Sequence, residues 1–392
     1  MSGYLGRSMV AVATILGATA AQAAEWDYTP QGRAGLEYVH NPLLAPQSAS
    51  TYAADALNAN ASLAADVARH GDKLDLTINP NLFFSRYIDH SLYDRDDQYL
   101  NLGAAYKTDR TTWSATANGV RDTTITSEVG TTGLTNGNGR HESLNLAFGP
   151  TVQLTERLSL VAQAGWLANH YPDSGGTGLI DYRYTSGDLR GIYSLTERTQ
   201  TMLDATVAQL STAQIGGRPT TYTLEGNLTT QLSELWTASL ASGPVYVESD
   251  SGSDSGVLYE ADLQRRGELA TLTAKVSRSV TPTGRGVLTR YDQFLLNASR
   301  PLSERLTLNF TGQYSRNRDF AQDLALQSGV YTVGYYSLQS DLQWRLTPNW
   351  NLSLAAQGQH QSTATTASPG NNGSSYRFNL GLVWNGDPRR LH

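Results

Sequence analysis

Apolar and polar side chains alternate along most of the chain. Between Tyr336 and Leu346 every second residue is apolar or aromatic apart from Ser340, and the residues between them are polar or charged. Successive side chains of a strand point to opposite faces, so such a segment has one apolar face and one polar face. Helical periodicity is nearly absent, and the pattern predicts strands almost throughout. The same alternation recurs in residues 74–84, 144–154, 350–357 and 377–384.

The length of the alternating runs favours a membrane barrel over a soluble sandwich. The runs often extend over 10–15 residues, whereas strands of soluble proteins usually have about 5–6. A tilted strand needs roughly 9–11 residues to cross the hydrocarbon layer. Since every backbone group in lipid has to be paired internally, such strands close into a barrel without edges. The predicted fold class is all-β, a transmembrane outer-membrane antiparallel β-barrel; a soluble sandwich or solenoid is the alternative.

The connections between the alternating segments fall into two sets. Short periplasmic turns and longer extracellular loops are typical of outer-membrane barrels. Eight short turns, several with a Leu-Thr/Ser-Glu motif, lie at residues 70–73, 108–111, 154–158, 195–199, 232–235, 267–269, 302–306 and 346–350. Nine mostly longer loops, rich in Gly, Ser, Thr and Asn, lie at roughly 41–51, 88–97, 126–140, 172–179, 213–220, 250–256, 283–286, 319–330 and 363–373. These connections predict about eighteen strands, or sixteen if one hairpin is miscounted, with both chain ends in the periplasm.

Two expectations concern the ends of the strands. The last strand, near residues 376–385, is expected to close the barrel against the first, near 31–40, with residues 386–392 trailing beyond it. An interfacial aromatic belt is expected beside the short turns. Four tryptophans occupy that position: Trp113, Trp236, Trp350 and Trp384.

The first 23 residues have the features of a secretory signal peptide. A single cation, Arg7, precedes an apolar run of about 13 residues, which is too short to span a bilayer. Ala21-Gln22-Ala23 is a small-x-small cleavage site, so the mature chain is expected to begin near Ala24. The predicted organisation is a signal peptide at 1–23 and a single transmembrane barrel domain at 24–392, located in the outer membrane of a Gram-negative bacterium.

Composition removes several other classes of protein. The chain of 392 residues has no cysteine, which excludes disulfide frameworks and thiolate metal sites. The 21 Tyr and 7 Trp are too many for a disordered chain. A formal net charge of −6 gives no reason to expect a nucleic-acid partner.

Residues that could carry catalysis or hold a cofactor form no diagnostic pattern. Five histidines lie near the ends of the long loops: His40, His90, His141, His170 and His360. None of them has a nucleophile or carboxylate at a diagnostic spacing. The acidic segment 248–255 offers oxygen atoms to calcium but lacks the closing bidentate Glu of a defined site. We therefore expect no enzyme activity, no catalytic or metal site and no cofactor.

The polar face of the predicted strands is expected to line a wet lumen. It carries acids and bases in nearly equal numbers among many amides, which suits sugar hydroxyls better than a selective ion filter. An equally weighted alternative is that any water-filled barrel needs such a wall. The candidate pore-lining residues are Glu37, Asp66, Asp75, Lys107, Asp204, Glu225, Glu260, Arg266, Lys275, Asp341, Gln343, Arg345, Arg377 and Asn379.

The short turns and the first strand carry a family resemblance. The Leu-Thr/Ser-Glu-Arg-Leu turns and the segment Gly35-Leu36-Glu37-Tyr38-Val39-His40-Asn41-Pro42-Leu43-Leu44 resemble the beta-barrel porin 2 family, outer-membrane proteins of exopolysaccharide export clusters. His40 departs from the Asp that is usual before the Asn. The resemblance implies a barrel that passes a secreted polysaccharide across the outer membrane beside a periplasmic export protein, and it supplies no catalytic residues.

These observations predict a monomeric barrel that acts as a passive export pore for a secreted polysaccharide. A general or small-sugar diffusion porin is the first alternative, and a plugged structural barrel is the second. An outer-membrane hydrolase would need a rim triad, which is not found. One long loop, 126–140 or 319–330, is expected to fold inward and gate the pore. The expected partners are outer-membrane lipid, the polysaccharide and a periplasmic polysaccharide-export protein.

Overall fold

Eighteen long strands form one closed antiparallel sheet in a computed structural model of the chain. The structure describes residues 25–44, 55–128, 139–172, 178–212, 217–250, 252–319, 331–365 and 372–391. The strands are β1 Glu25–His40, β2 Asp55–His70, β3 Leu74–Tyr87, β4 Arg95–Lys107, β5 Thr111–Thr123, β6 Arg140–Gln153, β7 Leu158–His170, β8 Tyr182–Ser194, β9 Thr199–Thr212, β10 Thr220–Gln231, β11 Trp236–Ser249, β12 Gly252–Arg266, β13 Thr271–Pro282, β14 Leu288–Pro301, β15 Leu306–Asp319, β16 Tyr331–Arg345, β17 Trp350–Thr365 and β18 Asn372–Asn385.

Closure joins the first strand to the last. β1 pairs with β18 from Gln31 opposite Asn385 to His40 opposite Tyr376, and it pairs with β2 along its whole length. The predicted closing pair and the predicted number of eighteen strands are confirmed. The expectation that residues 386–392 only trail beyond the barrel is wrong in part, because Arg389–Leu391 forms a short strand, β19, that pairs with the first residues of β1.

The eight predicted short connections are the turns at one end of the barrel. In the turn between β6 and β7, the backbone N–H of Leu154 donates to the carbonyl of Leu158 at 2.9 Å. The Thr155 hydroxyl accepts the N–H of Leu158 at 3.0 Å. Ser303 accepts the N–H of Leu306 in the same way between β14 and β15. The Ser or Thr of the motif is therefore the acceptor that fixes the turn.

Two predicted loop boundaries are wrong. The expected loop 250–256 is a tight connection, because β11 ends at Ser249 and β12 begins at Gly252. The expected loop 88–97 ends earlier, because β4 begins at Arg95. The polar residues at 95–97 and at 252–256 belong to strands, where alternate side chains face the lumen.

The outward face of the wall is an apolar band bounded by aromatic residues. Leu36 on β1 is 56% exposed, as expected of a side chain that faces lipid. On β16, Tyr336 lies towards the long loops and Trp344 beside a short turn, and both are about half exposed. Eight residues separate them, which corresponds to about 26 Å along the strand and about 20 Å across a bilayer at a tilt of about 40°. Trp113 and Trp350 lie at the short-turn end, as predicted.

Within the described residues, helical structure is confined to two short pieces in the long connections. These are a 3-10 turn at Ser91–Tyr93 and one turn of helix, α1, at Thr124–Ser127. None of the described helices is long and apolar enough to cross a membrane. Because α1 follows β5 directly, it lies at the mouth of the barrel, on the side of the long loops.

Candidate functional site

The strand register places the fourteen predicted pore-lining residues on the face opposite the exposed leucines. Glu37, for example, lies opposite Asn58 of β2 and Asn379 of β18, while its neighbours Leu36 and Tyr38 are exposed on the outer face. The same alternation carries through every strand pair of the closed sheet. The inward face surrounds the lumen, and contact of these residues with a permeant solute remains a prediction.

Several of the predicted residues form pairs across neighbouring strands. Opposite charges that neutralise each other leave little net field in the lumen. The ion pairs are Lys107 Nζ to Asp75 Oδ2 at 2.5 Å, Lys275 Nζ to Glu260 Oε2 at 2.7 Å, Arg190 Nε to Asp204 Oδ2 at 2.9 Å and, more loosely, Arg377 Nη1 to Glu37 Oε1 at 3.9 Å. Glu225 lies opposite Asp204 in register.

The other predicted residues are held by amides, hydroxyls or backbone carbonyls. Asp341 accepts hydrogen bonds from Gln343 Nε2 and from the hydroxyl of Ser353, both at 2.7 Å. These contacts fix the side chains along the wall without neutralising Asp341. Further contacts are Asn79 Nδ2 to Asp66 at 2.7 Å, Arg266 Nη2 to Gln264 Oε1 at 3.3 Å and Arg345 Nη2 to the Glu304 carbonyl at 2.6 Å, while Asn379 Oδ1 accepts from Arg33 Nη2 at 2.7 Å.

A buried apolar cluster, which we call the mouth plug, lies at the long-loop end of the barrel on the β7–β14 side. Side chains on a water-filled wall would be hydrated, so their burial shows that the β13–β14 hairpin, Tyr171 and Leu179 lie inward over the lumen. The plug consists of Tyr182, Leu210, Val245 and Val247 from the lumen face of β8, β9 and β11, Tyr171 and Leu179 from the β7–β8 connection, and Val280 and Leu288 from the β13–β14 hairpin.

Polar contacts tie the mouth plug together across elements that are remote in sequence. The N–H of Ile180 donates to the carbonyl of Gly284 at 2.7 Å, and the Tyr171 hydroxyl donates to Glu128 Oε1 at 2.6 Å. A Cβ on Gly284 would lie 2.7–2.8 Å from side-chain atoms of Tyr171, Glu128 and Leu179, so a larger residue there would displace these side chains. Burial and the charge of Glu128 raise the pKa of Tyr171 well above its ordinary value, so its hydroxyl remains a donor.

The tip of the β13–β14 hairpin is also fastened to the wall. Arg285 donates two hydrogen bonds to Asp319 at the end of β15, at 2.5 and 3.3 Å. The Asp319 side chain is only 5% exposed, which strengthens the pair relative to one in water. Gly286 completes the turn with a φ of 72°, a conformation that favours glycine. The tip therefore has one defined position in the mouth.

A polar cavity of about 380 Å³, which we call the lumen cavity, lies on the opposite side of the lumen. Its wall comes from β1–β4 and β16–β18, and Thr126 of α1 closes one side. The rings of Phe83 and Tyr99 face it among amides and charges. Of the fourteen predicted residues it brings together Glu37, Arg377 and Asn379; the other eleven do not line it.

Charged groups in the lumen cavity have unused hydrogen-bonding capacity. The Nε atoms of Arg33, Arg95 and Arg377 are buried without a hydrogen-bond partner in the described part of the chain, as is one carboxylate oxygen each of Glu37 and Asp97. Buried polar groups are normally hydrogen-bonded. The same three guanidinium groups and two carboxylates line one cavity and bring hydrogen-bond donors and acceptors to it.

His141 is the most buried of the rim histidines for which the structure gives exposure. Its Nδ1 lies 2.7 Å from Asp122 Oδ1 and its Nε2 lies 3.0 Å from Asn169 Oδ1, with the Tyr171 ring against one face at 5.1 Å between centroids. Both ring nitrogens are thus occupied by the wall. This arrangement connects β5, β6 and β7 beneath the mouth plug and leaves no nitrogen for proton transfer to a solute.

Sequence reasoning missed two parts of the site. Arg95 and Asp97 fall within the expected loop 88–97, although they are lumen-facing residues of β4. The mouth plug was also missed, and its signal is the uninterrupted apolar run Val245-Tyr246-Val247, which is typical of a strand covered on both faces. Of the two expected gating loops, residues 129–138 and 320–330 lie outside the described residues, as does the expected signal peptide at 1–23.

Comparison with known proteins assigns no family to the chain. No family model and no curated protein matches the chain, so membership in the beta-barrel porin 2 family remains a prediction. The chain is similar in structure to OccK2 (OpdF) of Pseudomonas aeruginosa, with 12% identity over 94% of this chain and 98% of that one and a TM-score of 0.48. It is also similar to OpdL of Pseudomonas aeruginosa, with 14% identity, 93% and 99% coverage and a TM-score of 0.45.

A third similar structure is the FrpB iron transporter of Neisseria meningitidis, with 9% identity, 93% and 82% coverage and a TM-score of 0.46. At these identities the likenesses concern the barrel architecture and carry no argument about a permeant. The protein is an outer-membrane β-barrel. The number of strands, the closure of the barrel and its aromatic boundaries are all seen in the structure of the chain itself.

Proposed function

We propose that the protein is an outer-membrane channel for a saccharide and that the permeant is a secreted polysaccharide passing as an extended chain. The observation that carries this proposal is the lumen cavity, which places amides, charged groups of both signs and two aromatic rings on one side of the lumen. Sugar hydroxyls need donors and acceptors with little net field, and sugar rings pack on aromatic faces.

The geometry also limits the width of the path. Eighteen strands about 4.8 Å apart and tilted by about 40° close to a backbone diameter of roughly 35 Å. Such a barrel would pass many solutes if it were open. The mouth plug occupies the β7–β14 side, so the solute path runs beside β1–β4 and β16–β18. A channel reduced to one polar side suits a narrow, extended permeant.

A polar ladder leads from the lumen cavity towards the short-turn end. Gln339 lines the cavity, and Asp341, Gln343 and Arg345 follow at every second position of β16. Residues two apart on a strand are separated by about 6.6 Å, so these four groups extend over about 20 Å. A chain of sugar units would find a hydrogen-bonding partner at each step of this ladder, while a periplasmic export protein supplies direction.

Two other functions use the same architecture. A small-sugar diffusion porin would bind single sugars in the lumen cavity, whose volume suits a small ligand. A plugged structural barrel is favoured by the mouth plug, which places buried apolar side chains inside the barrel. The three functions differ in conductance and in its response to polymer.

Single-channel conductance in planar bilayers distinguishes them. We expect a steady conductance that an extracellular polysaccharide blocks and that glucose at equal mass concentration leaves unchanged. Gln357→Leu, in the lumen cavity, is expected to weaken the block, whereas Gln209→Leu, on the outer face of β9, leaves it unchanged. A conductance that the polysaccharide does not change would favour the diffusion porin. No conductance in either variant or in the original chain would favour the structural barrel.

A further inference from the structure

Three arginines and one aspartate lie on the outer face of β13, β14 and β15, at the long-loop end. Arg278, Asp292 and Arg316 form one cross-strand row, and Arg318 lies two residues beyond Arg316 on β15. Arg316 and Arg318 are exposed, whereas the alternate residues Ser315 and Asn317 are buried on the lumen side. We call these three arginines and the one aspartate the basic patch.

The charges of the basic patch are unbalanced. Asp292 is its one carboxylate, and Arg278 occupies it with two hydrogen bonds, at 2.5 and 3.1 Å. The Arg278 guanidinium also lies over the Tyr259 ring at 5.1 Å, which fixes its orientation. Arg316 and Arg318 form neither an ion pair nor a side-chain hydrogen bond with the part of the chain that the structure describes. Arg316 and Arg318 are therefore exposed cations close to Arg278, whose orientation is fixed.

The height of the basic patch relative to the membrane is set by the row below it. Phe294, Tyr314 and Tyr336 are neighbours in register on the outer face and are 43–48% exposed. Aromatic rows of this kind lie at the membrane–water interface. Arg316 is two residues beyond Tyr314, which is about 6.6 Å along the strand and about 5 Å further from the hydrocarbon layer at a tilt of about 40°. Its guanidinium is thus at the level of lipid headgroups.

We propose that the basic patch binds the phosphate groups of a phosphorylated glycolipid in the outer leaflet. Guanidinium groups bind phosphate through paired charge-assisted hydrogen bonds. Arg316 and Arg318 are about 6.6 Å apart along the strand, and cross-strand neighbours are about 5 Å apart, so one phosphate can contact two arginines. The aromatic row beneath offers an apolar surface to the acyl chains of the same lipid, which a soluble anion would not use.

The test uses the full chain in detergent and native mass spectrometry. The probe is a diphosphorylated diglucosamine lipid, compared with the same lipid after removal of both phosphates. The original chain is expected to bind the diphosphorylated form preferentially. The double variant Arg316→Ala/Arg318→Ala is expected to bind it about 10- to 30-fold more weakly. Arg183→Ala is the matched control, because Arg183 is also an exposed, outward arginine at the long-loop end, on β8.

Three results would overturn the proposal. The first is equal binding of the phosphorylated and dephosphorylated lipids, and the second is an equal loss of affinity in the Arg183→Ala control. The third is displacement of the lipid by millimolar inorganic phosphate, which would indicate a site for the free anion. The proposal is supported if the control keeps its preference for the phosphorylated lipid and the double variant loses it. This result does not depend on whether the lumen conducts a saccharide.

Discussion

The hydrogen bond between Tyr171 and Glu128 provides a sensitive test of the mouth plug. Tyr171→Phe removes one hydroxyl and keeps the ring that packs in the plug and against His141. The lost bond is 2.6 Å long and lies between groups that are 3% and 4% exposed. Hydrogen bonds to charged groups contribute about 1.5–3 kcal/mol. We expect the plug to be destabilised by that amount while the barrel wall is unchanged.

This energy converts directly into channel behaviour. Since each 1.4 kcal/mol is a factor of ten, the ratio of open to closed plug should rise roughly 10- to 100-fold. In single-channel recordings the variant should spend correspondingly more time in a higher-conductance state. Tyr314→Phe is the control, because that exposed tyrosine lies on the outer aromatic row. An open fraction equal to that of the original chain would refute the view that this bond holds the plug closed.

Three further predictions follow from glycine contacts and cavity charge. Gly284→Ala should raise the time spent in the high-conductance state, because its Cβ has no room beside Tyr171; unchanged recordings would contradict this. Gly149→Ala should lower the urea midpoint of unfolding by forcing a Cβ to within 1.9 Å of a neighbouring carbonyl, whereas Gly187→Ala, with open space, should not. Arg377→Gln should shift the reversal potential towards cation preference, because it leaves Glu37 without the cation that lies 3.9 Å away; a shift towards anions would contradict the placement.

Most of the fold could be predicted because a membrane barrel repeats two local rules. Alternation fixes which residues of each strand face lipid, and the Leu-Thr/Ser-Glu turns fix where each hairpin ends. The eighteen strands and the pairing of β1 with β18 follow from them. The register then determines the face of residues such as Glu37 and Asp341 without knowledge of tertiary contacts.

The lumen could not be predicted in the same way, because it depends on contacts between remote elements. Gly284 meets Tyr171 and Glu128 only after the barrel has closed, and these residues come from three different connections. The sequence places Arg95 in a loop, because polar residues that precede a strand cannot be distinguished by composition from polar residues on the lumen face of a strand. Alternation identifies the polar face but does not show which part of the lumen is filled.

Thiol accessibility tests most directly whether the solute path runs through the lumen cavity. The chain has no cysteine, so Ala355→Cys in the cavity and Val247→Cys in the mouth plug each introduce a single thiol. We expect a bulky polar thiol reagent to modify A355C rapidly and to lower its conductance, and to leave V247C unmodified because Val247 is 1% exposed. Rapid modification of V247C, or modification of A355C without loss of conductance, would contradict the divided lumen.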